Sequence, residues 1–276
     1  MSKHKVWFIT GSGSGFGRIW AEAALKRGDK VVATDRNPQK LDALVATFGA
    51  AVLTLALDVT DRDAVFRTVN EAHRHFGRLD VILSNAGYAY QGALEEIEVD
   101  EYRKNFETNV FGTLSVLQAA IPLLREQRSG HILTLSSIGG IVGFPAGGSY
   151  VATKFAVEGM TEALAGEVAG FGIKVTILEP GPFTTGFTSA MQTAPKMAEY
   201  DAVREAVSVN FKPQMSGDPK ATAAAILKLV DTKSPPLRLI LGSHPLPSIR
   251  SLYAKRLDVW NDWADVSNAA QGNNNA

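Results

Sequence analysis

Tyr150 and Lys154 lie four residues apart at the start of a long apolar-periodic stretch. Ser137 lies thirteen residues upstream, just past the strand-like run His131–Ser136. Together these residue types can run acid–base chemistry on an alcohol or a carbonyl. Helical residues four apart share a face, so an ammonium at Lys154 can stand near the Tyr150 phenol and favour its ionised form. A free phenol titrates near ~10, and bringing it toward neutrality takes about 4 kcal/mol of differential stabilisation, much of which one desolvated cation can supply. A hydroxyl at Ser137 can hold and polarise the substrate oxygen. The Tyr/Lys spacing alone is a weak motif, because six tyrosines in 276 residues let it arise by chance.

The elements that would position these groups begin at the other end of the chain. Val6–Ile9 is a short apolar run of strand type that leads into Thr10-Gly11-Ser12-Gly13-Ser14-Gly15-Phe16-Gly17, and a helical pattern follows from Ile19 to Leu25. A glycine-rich turn between strand and helix lets the backbone approach a pyrophosphate, and the helix N-terminus offers it unpaired N–H groups. The bland alternative is a tight turn. Gly28 closes the helix and Lys30–Thr34 reads as a second strand ending in Asp35. An acidic side chain at that tip, about 20 residues beyond the glycines, can bind the adenosine ribose hydroxyls of a dinucleotide.

With these residues in place, the chain resembles the short-chain dehydrogenase/reductase family from about Lys5 to about Leu241. The family's Thr-Gly-x-x-x-Gly-x-Gly pattern is met by Thr10, Gly11, Gly15 and Gly17, with Ser12, Ser14 and Phe16 in the same cofactor loop. Asp58-Val59 matches the pair beside the adenine. Asn85-Ala86-Gly87 matches the element ending the fourth strand, with Ser84 before it where Asn is commoner. Asn109 matches the mid-helix catalytic Asn, and Ser137, Tyr150 and Lys154 match the catalytic set. Pro180-Gly181 followed by Thr185 matches the segment that contacts the nicotinamide amide. The resemblance implies hydride transfer with nicotinamide, with Tyr150 as acid or base and Ser137 orienting the substrate oxygen. It further implies that Lys154 binds the nicotinamide ribose and that Asn109 holds a water joining Lys154 to solvent. From the residue alone, Asn109 reads equally well as a polar group satisfied inside a helix.

Composition agrees. Net charge is zero, which gives no basic face for nucleic acid or anionic membranes. Cysteine is absent, which excludes disulfides and thiolate metal sites, weakly favours a reducing, cytoplasmic setting, and leaves no metal site expected. Met1-Ser-Lys-His-Lys enters the first strand at once, with no room for a signal peptide, and no apolar run approaches ~18 residues.

Strands and helices alternate with short turns, which predicts one Rossmann-type α/β domain over 1–266, a doubly wound parallel sheet of about seven strands with helices on both faces. The further strands are Ala51–Leu57, Val81–Ser84, Lys174–Glu179 and Arg238–Leu241. Asn37-Pro38 caps a helix to about Thr47, and Thr60-Asp-Arg-Asp63 resembles a capping box for a helix to about Phe76. A helix from about Asp100 to Arg128 should be disturbed at Pro122, and the Tyr/Lys helix spans roughly Ser149–Phe171. Residues 183–218 read as a substrate lid carrying Phe183, Phe187, Met191, Met197, Tyr200 and Phe211, facing Tyr88, Tyr90, Ile141, Val142 and Phe144. That wall favours an apolar or aromatic secondary alcohol or ketone. Leu246, Ile249, Leu252, Tyr253, Leu257, Trp260 and Trp263 predict an amphipathic helix over 246–266 that packs on the core or a neighbouring subunit, and 267–276 reads as a disordered tail. The resemblance implies a homodimer or homotetramer.

Cofactor choice is set by opposed signals. Asp35 suits the free ribose hydroxyls of NAD and repels the 2′-phosphate of NADP, whereas Arg36 could fold over that phosphate. Ser14 replaces the basic residue common in NADP-preferring members, so NAD is expected over NADP. The alternatives are an NADPH-dependent carbonyl reductase, or an idle dinucleotide-binding sensor or scaffold, which would be free to lose Ser137, Tyr150 or Lys154.

Overall fold

The structure, a computed structural model, describes residues 4–187, 191–210 and 216–272. Seven parallel strands form one sheet: β1 (Val6–Thr10), β2 (Lys30–Asp35), β3 (Val52–Ala56), β4 (Val81–Ser84), β6 (Gly130–Leu135), β7 (Ile173–Pro180) and β9 (Arg238–Leu241). Their spatial order is β3-β2-β1-β4-β6-β7-β9. Two short strands, β5 (Tyr90–Gln91) and β8 (Gln192–Thr193), pair apart from it. The order reverses between β1 and β4, which opens the crevice at the strands' carboxyl ends where α/β sheets bind ligands.

Side-chain alternation along the strands explains why both faces are covered. Val6 and Phe8 of β1 turn to one core, with α3 (Arg62–Phe76), α5 (Gly112–Gln127) and α6 (Gly148–Val168) against it. Trp7 and Ile9 turn to the other, against α1 (Gly15–Lys26), α2 (Asp42–Phe48) and α8 (Thr222–Asp231). Burying an indole requires a partner for its N–H: Trp7 Nε1 donates to Asp29 at 2.8 Å, and Trp20 Nε1 donates to Thr222 at 2.8 Å.

Several expectations change. The long helix is interrupted at a π-type turn, Glu107–Phe111, between α4 (Val99–Phe106) and α5, and it runs on through Pro122. The wider turn centres on Asn109 and re-aims that side chain, as such bulges do. Helix α3 is capped by Asp61, which accepts from Ala64 N at 2.9 Å. Thr60 is instead occupied with Asp58. In the lid, α7 (Asp201–Asn210) follows β8, while Phe211 lies outside the described residues. At the C-terminus α9 (Pro245–Asp262) is followed by α10 (Ala264–Ala270), so the tail expected from residue 267 is helical at its start. Most of the predicted apolar stripe of α9 is exposed rather than packed in the core. No helix among the described residues is long and apolar enough to cross a membrane.

Candidate active site

Ser137 leaves β6 in an extended conformation and caps the short turn Ile138–Gly140, its Oγ accepting from Gly139 N at 3.0 Å. Tyr150 and Lys154 occupy the first two turns of α6 and are both buried. The Ser137 hydroxyl stands close enough to the Tyr150 phenol to favour its ionised form. The Lys154 ammonium lies 5.7 Å from the Tyr150 ring centroid and donates to the Leu135 carbonyl at 2.8 Å. The three residues therefore meet at the carboxyl edge of the sheet.

The electrostatics differ from the expectation that Lys154 depresses the phenol. Burial pushes Tyr150 up to about 12, opposed by the Ser137 hydroxyl. Burial also pushes Lys154 down to about 8, opposed by the charge of Glu158 one helical turn away. The site is dry enough for desolvation to outweigh the cation, which sits near the ring rather than being spent on the oxygen. In this state Tyr150 is a phenol at neutral pH.

Behind Lys154 stands a buried acidic group that sequence reasoning missed. Glu158 and Glu179, at the end of β7, flank Arg238 of β9, whose Nε lies 3.1 Å from Glu158 and 3.4 Å from Glu179. Glu162 takes the same guanidinium at 2.9 Å. Burial holds Glu158 above the usual carboxylate range, and burial together with the charge of Glu158 raises Glu179 to about 7. The i, i+4 relation of Lys154 and Glu158 was visible in the sequence, but the convergence of α6, β7 and β9 was not.

Asn109 is held on all sides. Its Oδ1 accepts from Tyr88 N at 3.0 Å, and its Nδ2 donates to the Tyr88 carbonyl at 2.9 Å and to Thr153 Oγ1 at 3.0 Å. Protein fills three of that side chain's four hydrogen-bonding positions and leaves one Oδ1 lone pair. These bonds hold the Asn85–Tyr88 turn against α6. A Cβ on Gly87 would stand 2.9 Å from Asn109 Oδ1 and 3.9 Å from Lys154 Nζ, so this glycine keeps the turn close to both side chains.

The glycine loop fits a dinucleotide. Gly11 and Gly15 have φ of +67° and +56°, which glycine adopts without strain. A Cβ on Gly17 would meet Gly11 O at 2.4 Å. Helix α1 starts after Ser14 with no side-chain cap and no acidic residue in its first turn, an arrangement able to receive an anion. Thr10, the first residue of the glycine pattern, locks this loop to β4: its Oγ1 accepts from Asn85 N at 2.9 Å and from Ala86 N at 3.0 Å. Asn85 Nδ2 returns bonds to Thr10 O at 2.8 Å and Gly11 O at 3.1 Å. Ser12 differs from expectation. It is fully buried with its hydroxyl on the Ile9 carbonyl at 3.0 Å, so it shapes the turn and offers no surface to a ligand.

Asp35 reaches the loop, accepting from Gly13 N and Asn37 N, both at 3.0 Å, and Arg36 is exposed beside it. Asp58 is exposed and accepts from Thr60, while Val59 is buried against Gly112. Gly181 N donates to Leu241 O at 2.9 Å, which sets the bend after Pro180, and Thr185 Oγ1 accepts from Phe187 N at 3.3 Å. Phe16 stacks on Trp20 with centroids 4.9 Å apart and meets Phe183 edge-on at 5.4 Å, tying the glycine loop to the root of the lid.

Around Tyr150 the apolar wall is narrower than expected. Phe187 faces the Tyr150 ring at 5.7 Å, and Gly139 packs between Tyr150 and Phe144. Tyr90 is buried with its hydroxyl accepting from Glu98 N, and Tyr88 turns toward Asn105 on α4. Tyr200 donates to Glu95 at 2.5 Å, so it anchors the segment around β8 and α7. The main anchor is Glu96, buried, which accepts from Met197 N at 2.7 Å and pairs with Arg204 at 2.5 Å, while β5 and β8 pair in parallel alongside.

Comparison with known proteins agrees with this geometry. The family model described as short chain dehydrogenase matches residues 5–196. Oxidoreductase BOA17 of Botryotinia fuckeliana is 44% identical over 86% of this chain and 89% of its own length. A 3-ketodihydrosphingosine reductase of Bacteroides thetaiotaomicron is 38% identical over 91% of each. A crystal structure of a short-chain dehydrogenase from Streptomyces avermitilis superposes with a TM-score of 0.91 at 38% identity, covering 98% of this chain and 99% of that one. The chain belongs to the short-chain dehydrogenase/reductase family and is an oxidoreductase. Among its structural neighbours, one from Burkholderia phymatum is in complex with NAD (26% identical, TM-score 0.78, covering 90% of this chain and 92% of that one). Another, ElxO, has NADP bound (28% identical, TM-score 0.76, covering 89% of this chain and all of that one).

Proposed function

We propose that this chain interconverts an apolar secondary alcohol and its ketone, with NAD as the favoured nicotinamide cofactor. The observation that carries this reading is the meeting of Ser137, Tyr150 and Lys154 beside a glycine loop that Asp35 closes. The bound cofactor would accept or supply the hydride. It would lie on Gly11, Ser14, Gly15, Phe16 and Gly17, with Asp35 at the adenosine ribose, Asp58 and Val59 at the adenine, and Asn85, Ala86, Gly87, Pro180, Gly181 and Thr185 toward the nicotinamide.

The chain's own groups then act as follows. Ser137 orients the substrate oxygen. Tyr150 gives its phenolic proton to that oxygen in reduction and takes one back in oxidation. Lys154 binds the nicotinamide ribose and keeps a positive charge under the ring below about pH 8. Asn109 positions the Tyr88 turn. Residues 183–218 form the lid, and Phe144 and Phe187 favour an apolar substrate. Val99, Phe111 and Phe155, exposed on the helices around Asn109 and Tyr150, support pairing of subunits through that face.

A reductive direction gains weight from the high Tyr150 pKa and from a relative named for reducing a keto group. Arg36, exposed at the β2 tip, keeps NADP as the second reading. The test is kcat/KM over a panel of secondary alcohols and ketones with each cofactor. NAD should lead by at least about tenfold, and Asp35→Ser should erase the gap. A wild-type preference for NADP would reverse the cofactor assignment.

A further inference from the structure

Four residues beyond Lys154, on the same face of α6, stands Glu158. The two side chains end on consecutive residues of one strand end. Lys154 Nζ donates to the Leu135 carbonyl at 2.8 Å, and Glu158 Oε1 lies across Gly140 from the Ser136 hydroxyl. A Cβ on Gly140 would stand 2.4 Å from Ser136 Oγ and 3.1 Å from Glu158 Oε1, so that glycine leaves the room in which the carboxylate reaches the strand. Glu158 is only 6% exposed, and its Oε1 is buried with no hydrogen-bond partner among the described residues. A buried carboxylate with an unfilled acceptor costs stability, and an apolar side chain of like size often serves a fold as well. The ion pair with Arg238 does not account for Glu158 either, because Glu162 takes the same guanidinium at 2.9 Å from the solvent side.

We propose that Glu158 is a positioning residue for the reaction: its buried carboxylate is the counter-charge that keeps the Lys154 side chain an ammonium. It acts through Lys154, not on the substrate. The groups that face this pair come from several elements. Helix α6 itself contributes Tyr150 and Glu162, β7 contributes Glu179 and β9 contributes Arg238, while the end of β6 presents the hydroxyls of Ser136 and Ser137 and the π-type turn presents the amide of Asn109. Burial pushes Lys154 down to about 8, and the charge of Glu158 opposes that fall. Glu158 is raised by burial in turn, and the Ser136 hydroxyl and Arg238 draw it back toward its ionised form. In so dry a site a neighbouring opposite charge moves a titration by roughly one unit. Without it, Lys154 would be mostly a neutral amine at pH 8. The consequence for the cofactor rests on the placement of Lys154 at the nicotinamide ribose proposed above, where an ammonium binds the hydroxyls more tightly than an amine.

Full-length protein labelled with carbon-13 at lysine Cε reports the Lys154 titration without cofactor or turnover, its signal being assigned by its loss in Lys154→Arg. Glu158→Gln should lower the midpoint by roughly one pH unit. Glu162→Gln, which also loosens Arg238 but lies about two turns from Lys154, should leave it in place. A structural tie alone would lower Tm in both variants and move neither midpoint. Where the amide variant does not fold, Glu158→Met removes the same charge and should give the same shift. NADH affinity, read by fluorescence titration, should fall about fivefold at pH 8 in Glu158→Gln and hold at pH 6. A shift of less than about half a unit in Glu158→Gln, or an equal shift in Glu162→Gln, would overturn the proposal. A lowered midpoint with NADH affinity unchanged at pH 8 would uphold the counter-charge and remove Lys154 from the ribose instead.

Discussion

The cofactor side and the substrate side of the cleft are held by different kinds of contact. On the cofactor side, Thr10, Gly11, Gly17 and Asn85 lock one another through backbone-directed bonds between adjacent parallel strands, with almost every participant inside a recognisable motif. On the substrate side, residues 191–210 hang on Glu96, whose carboxylate binds Met197 N and Arg204 across more than a hundred residues of sequence. The first arrangement is part of the sheet and moves only with it. The second is a staple at the edge, which can be cut while the sheet stays folded. Binding of cofactor and selection of substrate should therefore be separable by mutation.

The largest effect is expected on the cofactor side. Gly17→Ala drives a Cβ to 2.4 Å from Gly11 O, which is backbone and cannot swing away. Cofactor affinity should fall by more than about a hundredfold, a misplacement cost of a familiar scale, as read by fluorescence titration of NADH. A cofactor affinity within about twofold of wild type would show that the loop is softer than its contacts imply.

Cutting the staple should do something else. Arg204→Leu leaves Glu96 without its cation while β5 and the sheet remain. KM for bulky apolar substrates should rise about fivefold to tenfold with cofactor affinity unchanged, since the lid and not the cofactor cradle is loosened. Hydrogen–deuterium exchange should speed up at 191–210 alone. A parallel loss of cofactor binding would merge the two regions into one unit. Partners of Glu96 hold its carboxyl below the usual range, Met197 N foremost. The staple is therefore intact at neutral pH and above, and it weakens as acid titrates Glu96 at its depressed pKa.

The smallest effect is on the pH dependence of stability, where the two sides again differ. Glu179 has a folded pKa of about 7, above its ordinary value. Between about pH 4.5 and 7 the folded state binds more protons than the unfolded, so stability falls as pH rises through that window. Glu179→Gln should remove this fall, giving a Tm above wild type at pH 8 and close to it at pH 4.5. Equal Tm differences at both values would show that the loss of the Arg238 contact dominates.

The contrast also explains what could be read in advance. Seven strands follow from buried runs and short βα turns, and the boundaries of β4 and β9 fall at Val81–Ser84 and Arg238–Leu241 as the runs indicate; their order in the sheet came only with the fold. The places of Ser137, Tyr150, Lys154 and Asp35 at the carboxyl edge of the sheet were legible because motif spacing and strand-end position agree. The role of Asn109 was not, since only the π-type turn reveals which way its amide faces. Ser12 was misplaced for a similar reason: one residue within a glycine loop can face the ligand or the core, and periodicity does not decide. The Glu96–Arg204 and Glu158–Glu179–Arg238 contacts join segments far apart in sequence, each an unexceptional charge until the fold closes.

The central claim is that Tyr150 handles the substrate proton while the glycine loop holds the cofactor independently of it. Tyr150→Phe, assayed by single-turnover kinetics with NADH and the best ketone of the panel, isolates that claim. The account predicts a loss of ~10²–10⁴ in the chemical rate, the range typical of a general acid, with NADH affinity preserved. A rate above about a tenth of wild type would contradict it.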